Sequence, residues 1–564
     1  MQIVECVPNI SEGRRKEVYD AVAEAAASVS EVTLLNVDPG WDTNRTVITF
    51  VGAPDAVLEA AFRLVKKGVE LIDMTTHRGA HPRIGAVDVV PFIPVANVTM
   101  DECAELARRL GERVGRELNV PVYLYEHAAS IPERRNLADI REGEYEGAAK
   151  KVVDPRWKPD FGPAEFVPRT GAIVIGARKF LVAYNVDINT LDKRLANRVA
   201  FDVRERGRMK RDAQDNPVLD ANGEPVWEPG LLKSVKAVGW VIPEFGCAQI
   251  SINLTDLDTT PLHVAFDTCE ERARERGLRV TGSEIVGLVP RQVLLDAGRH
   301  YLAKMGRPTG FPESTLIHVA IRTLGLNEVK PFDPKERVIE YRLAANTQPR
   351  LAGLTLRQFV DELSDESPAP GGGSVSALAG SMAAGLAAMV AVLSHTKKGF
   401  EAKQPELDRI AVRAQELKDQ LLWAVDADTA AFDQFLAASR MPKSTPEEAA
   451  TRDAAMADAT VGAATVPLTV VEACPELIEL NRAVAKIGLQ ASLSDAGVGV
   501  QMARAAAAGA YQNVCINLAG LSSEDSRKAS LLERADRAWA KTRELHAAGE
   551  EEILVKLRKD SVSS

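Results

Sequence analysis

A change of pattern near Leu354 constrains this chain more than any other feature. Before it, short β-rich runs alternate with amphipathic helical stretches. After it, alanine dominates, β-branched runs vanish and apolar residues recur at a helical period. A period of two and a period of 3.6 bury their apolar faces in different layer arrangements, so the chain holds at least two differently built parts. Its 564 residues also exceed a single core.

In the first part, strands are expected at Gln2–Pro8, Val32–Val37, Thr46–Gly52, Val87–Ile93, Val120–Tyr125, Ala172–Gly176, Leu181–Val186, Val235–Val241 and Gln249–Leu254. Helices are expected at Arg14–Ala27, Pro54–Ile72, Asp101–Leu118, Leu191–Arg206, Leu262–Gly277 and Pro290–Gly298. Pairs of strands fall side by side, which favours α+β sandwiches with mixed or antiparallel sheets over a strict βαβ alternation. No GxGxxG follows a strand, so no dinucleotide site is expected. A Pro/Gly-rich break at Phe161–Gly171 suggests two subdomains, 1–170 and 171–330. The polar run between Gly207 and Gly230 reads as an exposed hairpin, and 331–353 as a linker. The remainder, 354–564, reads as an all-α domain with helices at Leu356–Leu363, Ser374–Ser394, Pro405–Ala438, Thr445–Val466, Asp495–Leu518 and Glu524–Leu557.

A hydrophobic share of 46% with 26% charged residues is that of a water-soluble globular protein. The net charge of −10 argues against nucleic-acid partners and requires a local cationic site for any small anion. The 6 cysteines are scattered without a CxxC pair and read as reduced thiols of a cytoplasmic protein; no signal peptide is read at the amino terminus. Val375–Leu393 is uncharged and long enough to span a bilayer. Its Ala, Gly, Ser and Met content suits close packing in a bundle or oligomer core instead, so no membrane is expected.

The loop from Asp73 to Asp88 concentrates His77, His81, Arg78, Arg83, Gly79, Gly85 and Pro82 between a helix and a strand. A metal pair on one helical face is disfavoured, because Gly79 and Pro82 break a helix and Arg78 stands where a zinc peptidase needs Glu; no metal is expected. Backbone carbonyls satisfying both imidazoles is the plain alternative. Acid–base catalysis is the favoured reading, since imidazole titrates near neutrality, Pro82 holds His81 extended and Arg83 supplies anion recognition.

Several motifs carry a resemblance. Val4-Glu-Cys-Val-Pro-Asn9-Ile-Ser-Glu-Gly13, Asp38-x5-Asn44-Arg-Thr46, His77-x3-His81-Pro-Arg-x-Gly85, Asp160-Phe-Gly-Pro163 and Gly176-Ala-Arg-Lys-Phe180 resemble glutamate formiminotransferase. Pro331-Phe-x-Pro-Lys-Glu-Arg-x-Ile-Glu-Tyr341 resembles the join to its fused partner. Ala369-Pro-Gly-Gly-Gly-Ser374 and Val425-Asp-Ala-Asp428 resemble formiminotetrahydrofolate cyclodeaminase. The resemblance covers nearly the whole chain in the bifunctional order and implies a folate enzyme of histidine breakdown. The first half would move a formimino group from N-formimino-L-glutamate to tetrahydrofolate, the co-substrate, possibly polyglutamylated. The second would close 5-formiminotetrahydrofolate to 5,10-methenyltetrahydrofolate and release ammonia. A homo-oligomer is implied.

By this resemblance His81 is the proton-donating histidine, Asp428 the catalytic aspartate, and Gly162-Pro163-Ala164-Glu165-Phe166-Val167-Pro168-Arg169-Thr170-Gly171 the folate segment. Asp38 is a candidate to orient His81, although an Asx turn before Pro39-Gly40 explains it equally well. Asn44, Arg45, Arg83 and Arg178 are candidates for substrate carboxylates and polar groups. On a helix, Asp428 shares a face with Leu421, Val425, Phe432 and Phe435, whereas Asp426 shares one with Asp433; Asp428 is therefore the desolvated one. Gly372 and Gly373 open a helix with Ser374 as its N-cap, where free amides suit a folate carboxylate; a plain hinge is the alternative. The loop lacks the lysine and spacing of a P-loop, so no nucleotide is expected. Asn513 and Asn517, one turn apart, either read a pterin edge or join helices. Competing functions are an N-formylglutamate-dependent formyltransferase and a folate-binding protein with inactive sites.

Overall fold

The computed structural model describes residues 2–41, 43–79, 81–242, 245–345, 351–366 and 369–563. They form two compact units, one of 1–293 with 321–346 and the other of 294–320 with 347–564. The first carries two α+β subdomains and the second is helical, the architecture expected from the pattern change.

In the first subdomain, β1 (Ile3–Cys6), β2 (Asn9–Ile10), β3 (Val32–Gly40), β4 (Arg45–Gly52), β5 (Val87–Ala96), β6 (Val122–Glu126) and β7 (Ile173–Ala177) share one sheet. Its order is β1-β4-β2-β5-β7-β6, with β3 on β4; only the β5–β7–β6 pairings are parallel. One face carries Val4, Cys6, Ile48, Phe50, Val90 and Phe92, packed with apolar residues of the helices Lys16–Ala27, Pro54–Leu71 and Met100–Leu118. Polar groups gather on the other face, where the register sets Asn9, Val47 and Asp38 side by side across β2, β4 and β3. Strand alternation produces both outcomes, because successive side chains point to opposite faces.

The second subdomain is a four-stranded antiparallel sheet, ordered β11 (Val235–Ile242), β12 (Cys247–Leu254), β8 (Val182–Ile188) and β13 (Val280–Val286). The polar run at 207–230 is closed by a two-residue pair, β9 (Arg208–Met209) with β10 (Trp227–Glu228). Within it Asp212 and Asp220 each accept two backbone N–H groups, making two successive Asx-type turns.

Several expectations need correction. Asp38 is not in a turn; β3 continues through Pro39 and Gly40, paired with Thr46 and Arg45. The strand at 280–286 and the helix Glu313–Leu324 were not read from the sequence. The 331–353 linker instead carries helices at Pro334–Arg337 and Ile339–Ala345, with Ile339 buried beside Leu35, Val51 and Leu288; its residues 346–350 lie outside those described. The compact units also divide the chain elsewhere than at 330. Residues 294–320 group with the helical unit, where Thr309 donates to Asp408 and Gly298 abuts the Leu316 backbone.

The helical unit packs Gly372–His395, Gln404–Ser439, Pro446–Ile487, Leu493–Ala519 and Ser526–Ser563 around one core. The third helix was expected to stop at Val466, yet it runs through Pro467 and Pro475. An interior proline costs about 3 kcal/mol. Leu468, Val471, Cys474, Leu477 and Ile478 are all fully buried beyond Val466, and each large aliphatic side chain contributes roughly 1.5–3 kcal/mol. Burial wins. The Gly372–His395 and Pro446–Ile487 helices have the length and hydropathy to cross a membrane, but the apolar window of the first is 61% buried within its unit.

Candidate active sites

His81 lies two residues beyond Gly79 in the Asp73–Asp88 loop. Gly79 is required there because a Cβ would stand 2.2 Å from the Thr43 carbonyl oxygen. His81 Nδ1 lies 2.7 Å from the Pro82 carbonyl, which fixes the proton on Nδ1 and leaves the lone pair on Nε2. Arg45, on the polar side of β4, donates to that Nε2 and to Asn9 Oδ1. Arg141 and Asp88 complete the cluster as a buried ion pair. Arg45 Nε and Arg141 Nε are buried without a hydrogen-bond partner. Asp88 is ion-paired to Arg141, whereas Arg45 bonds the neutral partners His81 and Asn9, and its positive charge suits an anionic substrate.

That charge acts on the imidazole. Burial first, then Arg45 and Arg141, push His81 down from 6.5 to about 4. Burial and Arg141 likewise draw Arg45 down to about 10. His81 is therefore a neutral acceptor at physiological pH.

In the helical unit, Asp428 lies against the start of the Gly372–His395 helix. A Cβ on Gly373 would stand 2.1 Å from Asp428 Oδ1, so only glycine lets the carboxyl lie on the backbone. Ser374 Oγ donates to the Val425 carbonyl (2.9 Å) and reaches Asp428 Oδ2 (3.3 Å). Burial raises the Asp428 pKa, while Ser374 hydrogen bonds oppose that rise. Asn513 Nδ2 would lie 3.3 Å from a Cβ on Gly372. Gly372, Gly373, Ser374, Asp428 and Asn513 are thus assembled from three helices.

Family models match the chain in three consecutive blocks: the formiminotransferase domain, N-terminal subdomain, over residues 3–178; the formiminotransferase domain over 183–344; and formiminotransferase-cyclodeaminase over 355–537. A formimidoyltransferase-cyclodeaminase of Gallus gallus is 43% identical over 524 residues, 93% of this chain and 94% of that protein. The chain belongs to the formimidoyltransferase-cyclodeaminase family. The like-named protein of Dictyostelium discoideum is 43% identical over 92% of each chain. A glutamate formimidoyltransferase of Streptococcus pyogenes serotype M1 is 39% identical, over 53% of this chain and 93% of its own.

For this family member, the structure redistributes several expected roles. Asp38 does not orient His81. Its charged surroundings are Arg337, Lys330 and Glu284, and the Pro82 carbonyl holds the imidazole instead. Arg83 is no free cation: it is buried, ion-paired to Glu144 (2.8 Å) and Glu146 (2.7 Å), and donates to His77 Nδ1. His77 faces the Asn44 carbonyl at 2.9 Å and is a brace for the loop. Asn44 is buried with a left-handed backbone, its amide bonded to Gly13 N and the Arg78 carbonyl, so it clamps three loops. Ser374 is not the N-cap; Gly371 is, the helix opens at Gly372, and the Ser374 hydroxyl is engaged with Val425 and Asp428. Asn517 donates to the Ala463 carbonyl and joins two helices.

Arg178 is close enough to act electrostatically on Glu5, Tyr125 and Glu126; burial pushes Glu5 up to about 7. The Gly162–Gly171 segment begins and ends on positive-φ glycines, where Gly162 abuts the Val120 carbonyl and Gly171 the Ile84 carbonyl. Asp160, bonded to Leu124 N and Arg134, pins its entry. Met74 N and Ala86 N donate to the carbonyls of Arg169 and Thr170, so this segment and the histidine loop are fastened together. Beside that loop opens a cavity of about 470 Å³ lined by Arg78, Gly79, Arg83, Gly143, Glu144 and Glu146, within the range of small-molecule sites. Sequence reasoning missed Arg141 and the part played by Asn9. Asn9 was legible in the Val4–Gly13 motif, whereas nothing near Arg141 in sequence marked it.

Proposed function

We propose that the two sites carry out two successive one-carbon steps on folate. In the first, N5 of tetrahydrofolate attacks the amidine carbon of N-formimino-L-glutamate. The new C–N bond forms, the bond to the glutamate nitrogen breaks, and His81 Nε2 takes the proton from the entering nitrogen and returns it to the leaving one. Arg45 and Arg141 hold a substrate carboxylate; engaging that anion draws Arg45 off Nε2 and restores imidazole basicity. In the second, N10 of 5-formiminotetrahydrofolate closes on the same carbon and ammonia departs, giving 5,10-methenyltetrahydrofolate. With the formimino group in its amidinium form, Asp428 carries the N10 proton to the departing nitrogen, which leaves as NH3 and gives the methenyl cation.

The observation that carries this reading is the His81 Nε2 lone pair, directed at Arg45 beside the Arg141–Asp88 ion pair, with Nδ1 held by the Pro82 carbonyl. Histidine degradation is the metabolic setting in which this donor arises. Six free thiols, five of them buried, support a reducing, cytoplasmic setting. A homo-oligomer, with neither nucleic-acid nor membrane partners, completes the proposal. Mixing the protein with N-formimino-L-glutamate and tetrahydrofolate tests it: methenyl absorbance should rise with equimolar ammonia. N-formyl-L-glutamate supporting the same absorbance without ammonia would replace the donor assignment.

A further inference from the structure

We infer that Ser374 is a positioning residue for ring closure, holding the Asp428 carboxyl in place through its hydroxyl and its backbone N–H. The inference rests on Asp428 being the proton-handling group of the cyclodeaminase step. Ser374 is completely buried in an alanine-rich contact between two helices, where a hydroxyl must find partners. It finds them all on one neighbour: the Val425 carbonyl at 2.9 Å, Asp428 Oδ2 at 3.3 Å and Thr429 Oγ1 at 3.4 Å. Its backbone N–H adds a second donor to the same carboxylate. The single hydroxyl proton is shared between a carbonyl one turn before the aspartate, which fixes the helix register, and the carboxylate, whose rotamer it helps to fix. The glycine before it closes the third side, since the carboxyl rests on the Gly373 Cα.

Charge does not do this work elsewhere in the site. Among the described residues, burial and the two Ser374 hydrogen bonds are what act on the Asp428 ionisation, and no charged side chain contributes. The Gly372–His395 helix carries no charged residue before His395, and the Leu493–Ala519 helix presents Asn513. On its own helix the nearest acids are Asp426 and Asp433. With burial favouring the protonated form, the Ser374 donors are what keep the carboxylate available to accept the N10 proton.

The test is the pH profile of kcat/KM for cyclodeaminase on supplied 5-formiminotetrahydrofolate, using the full chain. Ser374→Ala should lower kcat/KM about tenfold, the scale of one lost hydrogen bond to a charged group. Its acid limb should move up by about half a pH unit or more, because the carboxylate loses a donor. Ser374→Thr, which keeps the hydroxyl, should restore the limb. A uniform loss with the limb unmoved would overturn the inference. Gly373→Ala serves as a second variant: the hydroxyl remains but the new methyl group displaces the carboxyl, so cyclodeaminase should fall while transferase persists; wild-type cyclodeaminase in that variant would also overturn it. Asp428→Asn separates the two levels. Full activity there refutes the role of Asp428 itself, whereas an inactive Asp428→Asn with an unshifted Ser374→Ala refutes only Ser374.

Discussion

The two sites handle protons on nitrogen under opposite electrostatic regimes. Around His81 charged groups act on top of burial: Arg45, Arg141 and Asp88 stand within reach of one imidazole on an irregular loop. Around Asp428 the controlling groups are neutral, a serine and a glycine at a helix start in an alanine-rich core. A site tuned by charge responds to salt and to substrate ionisation. One tuned by burial and hydrogen bonds responds to the loss of a methyl-sized clearance or a hydroxyl.

The sharpest way to break this comparison is to remove each group. His81→Ala should cost transferase about 10²–10⁴-fold and leave cyclodeaminase on supplied 5-formiminotetrahydrofolate intact. Asp428→Asn should do the reverse, with 5-formiminotetrahydrofolate accumulating; equal loss of both activities in either variant would deny separate sites. Next in size is Gly79→Ala. Its methyl group collides with the Thr43 carbonyl, so the loop and His81 shift, and transferase should drop on the order of 10²-fold. An unaltered rate would mean that the loop has slack.

Arg45→Gln should raise the donor KM about tenfold. It should also shift the acid limb of transferase kcat/KM from the depressed range near 4 toward the ordinary 6.5, since a cation that disfavours imidazolium is gone. A limb that stays low would assign the depression to burial and Arg141 without Arg45. Salt gives a smaller effect: between roughly 0.05 and 0.5 M, transferase kcat/KM should decline more steeply than that of cyclodeaminase. The least effect is on stability. The unfolded imidazole binds its proton below pH 6.5 and the folded one only near 4, so acidification through that window favours unfolding, and His81→Gln should flatten the dependence.

Much of the site could be read along the chain. His81 was marked by its own neighbours, Gly79 and Pro82, which break a helix and so disfavour a metal pair on one helical face. Asp428 was selected over Asp426 by helical phase, and the structure sets the Asp428 carboxyl on the Gly373 backbone. Partnership was not legible. Arg83 and Asn44 looked available beside the histidines, yet ion pairs with Glu144 and Glu146 claim the first and the backbones of Gly13 and Arg78 the second. Arg141 lies 60 residues from His81 in sequence and reaches it only because Asp88, ending the same loop, draws it in. The proline-interrupted helix shows the same limit in the fold, since local propensity stops it at Val466 while buried side chains from distant helices carry it onward.

Residue order alone determined the division into sheet-bearing and helical parts, the irregular histidine loop and the apolar stripe on which Asp428 lies, because periodicity and backbone restriction act over a few neighbouring residues. Tertiary structure decided which cations face His81, which are spent on internal carboxylates, and that Ser374 serves an aspartate instead of capping a helix. Those outcomes depend on distances between groups far apart in the chain, and both charge interactions and hydrogen bonds are set by such distances.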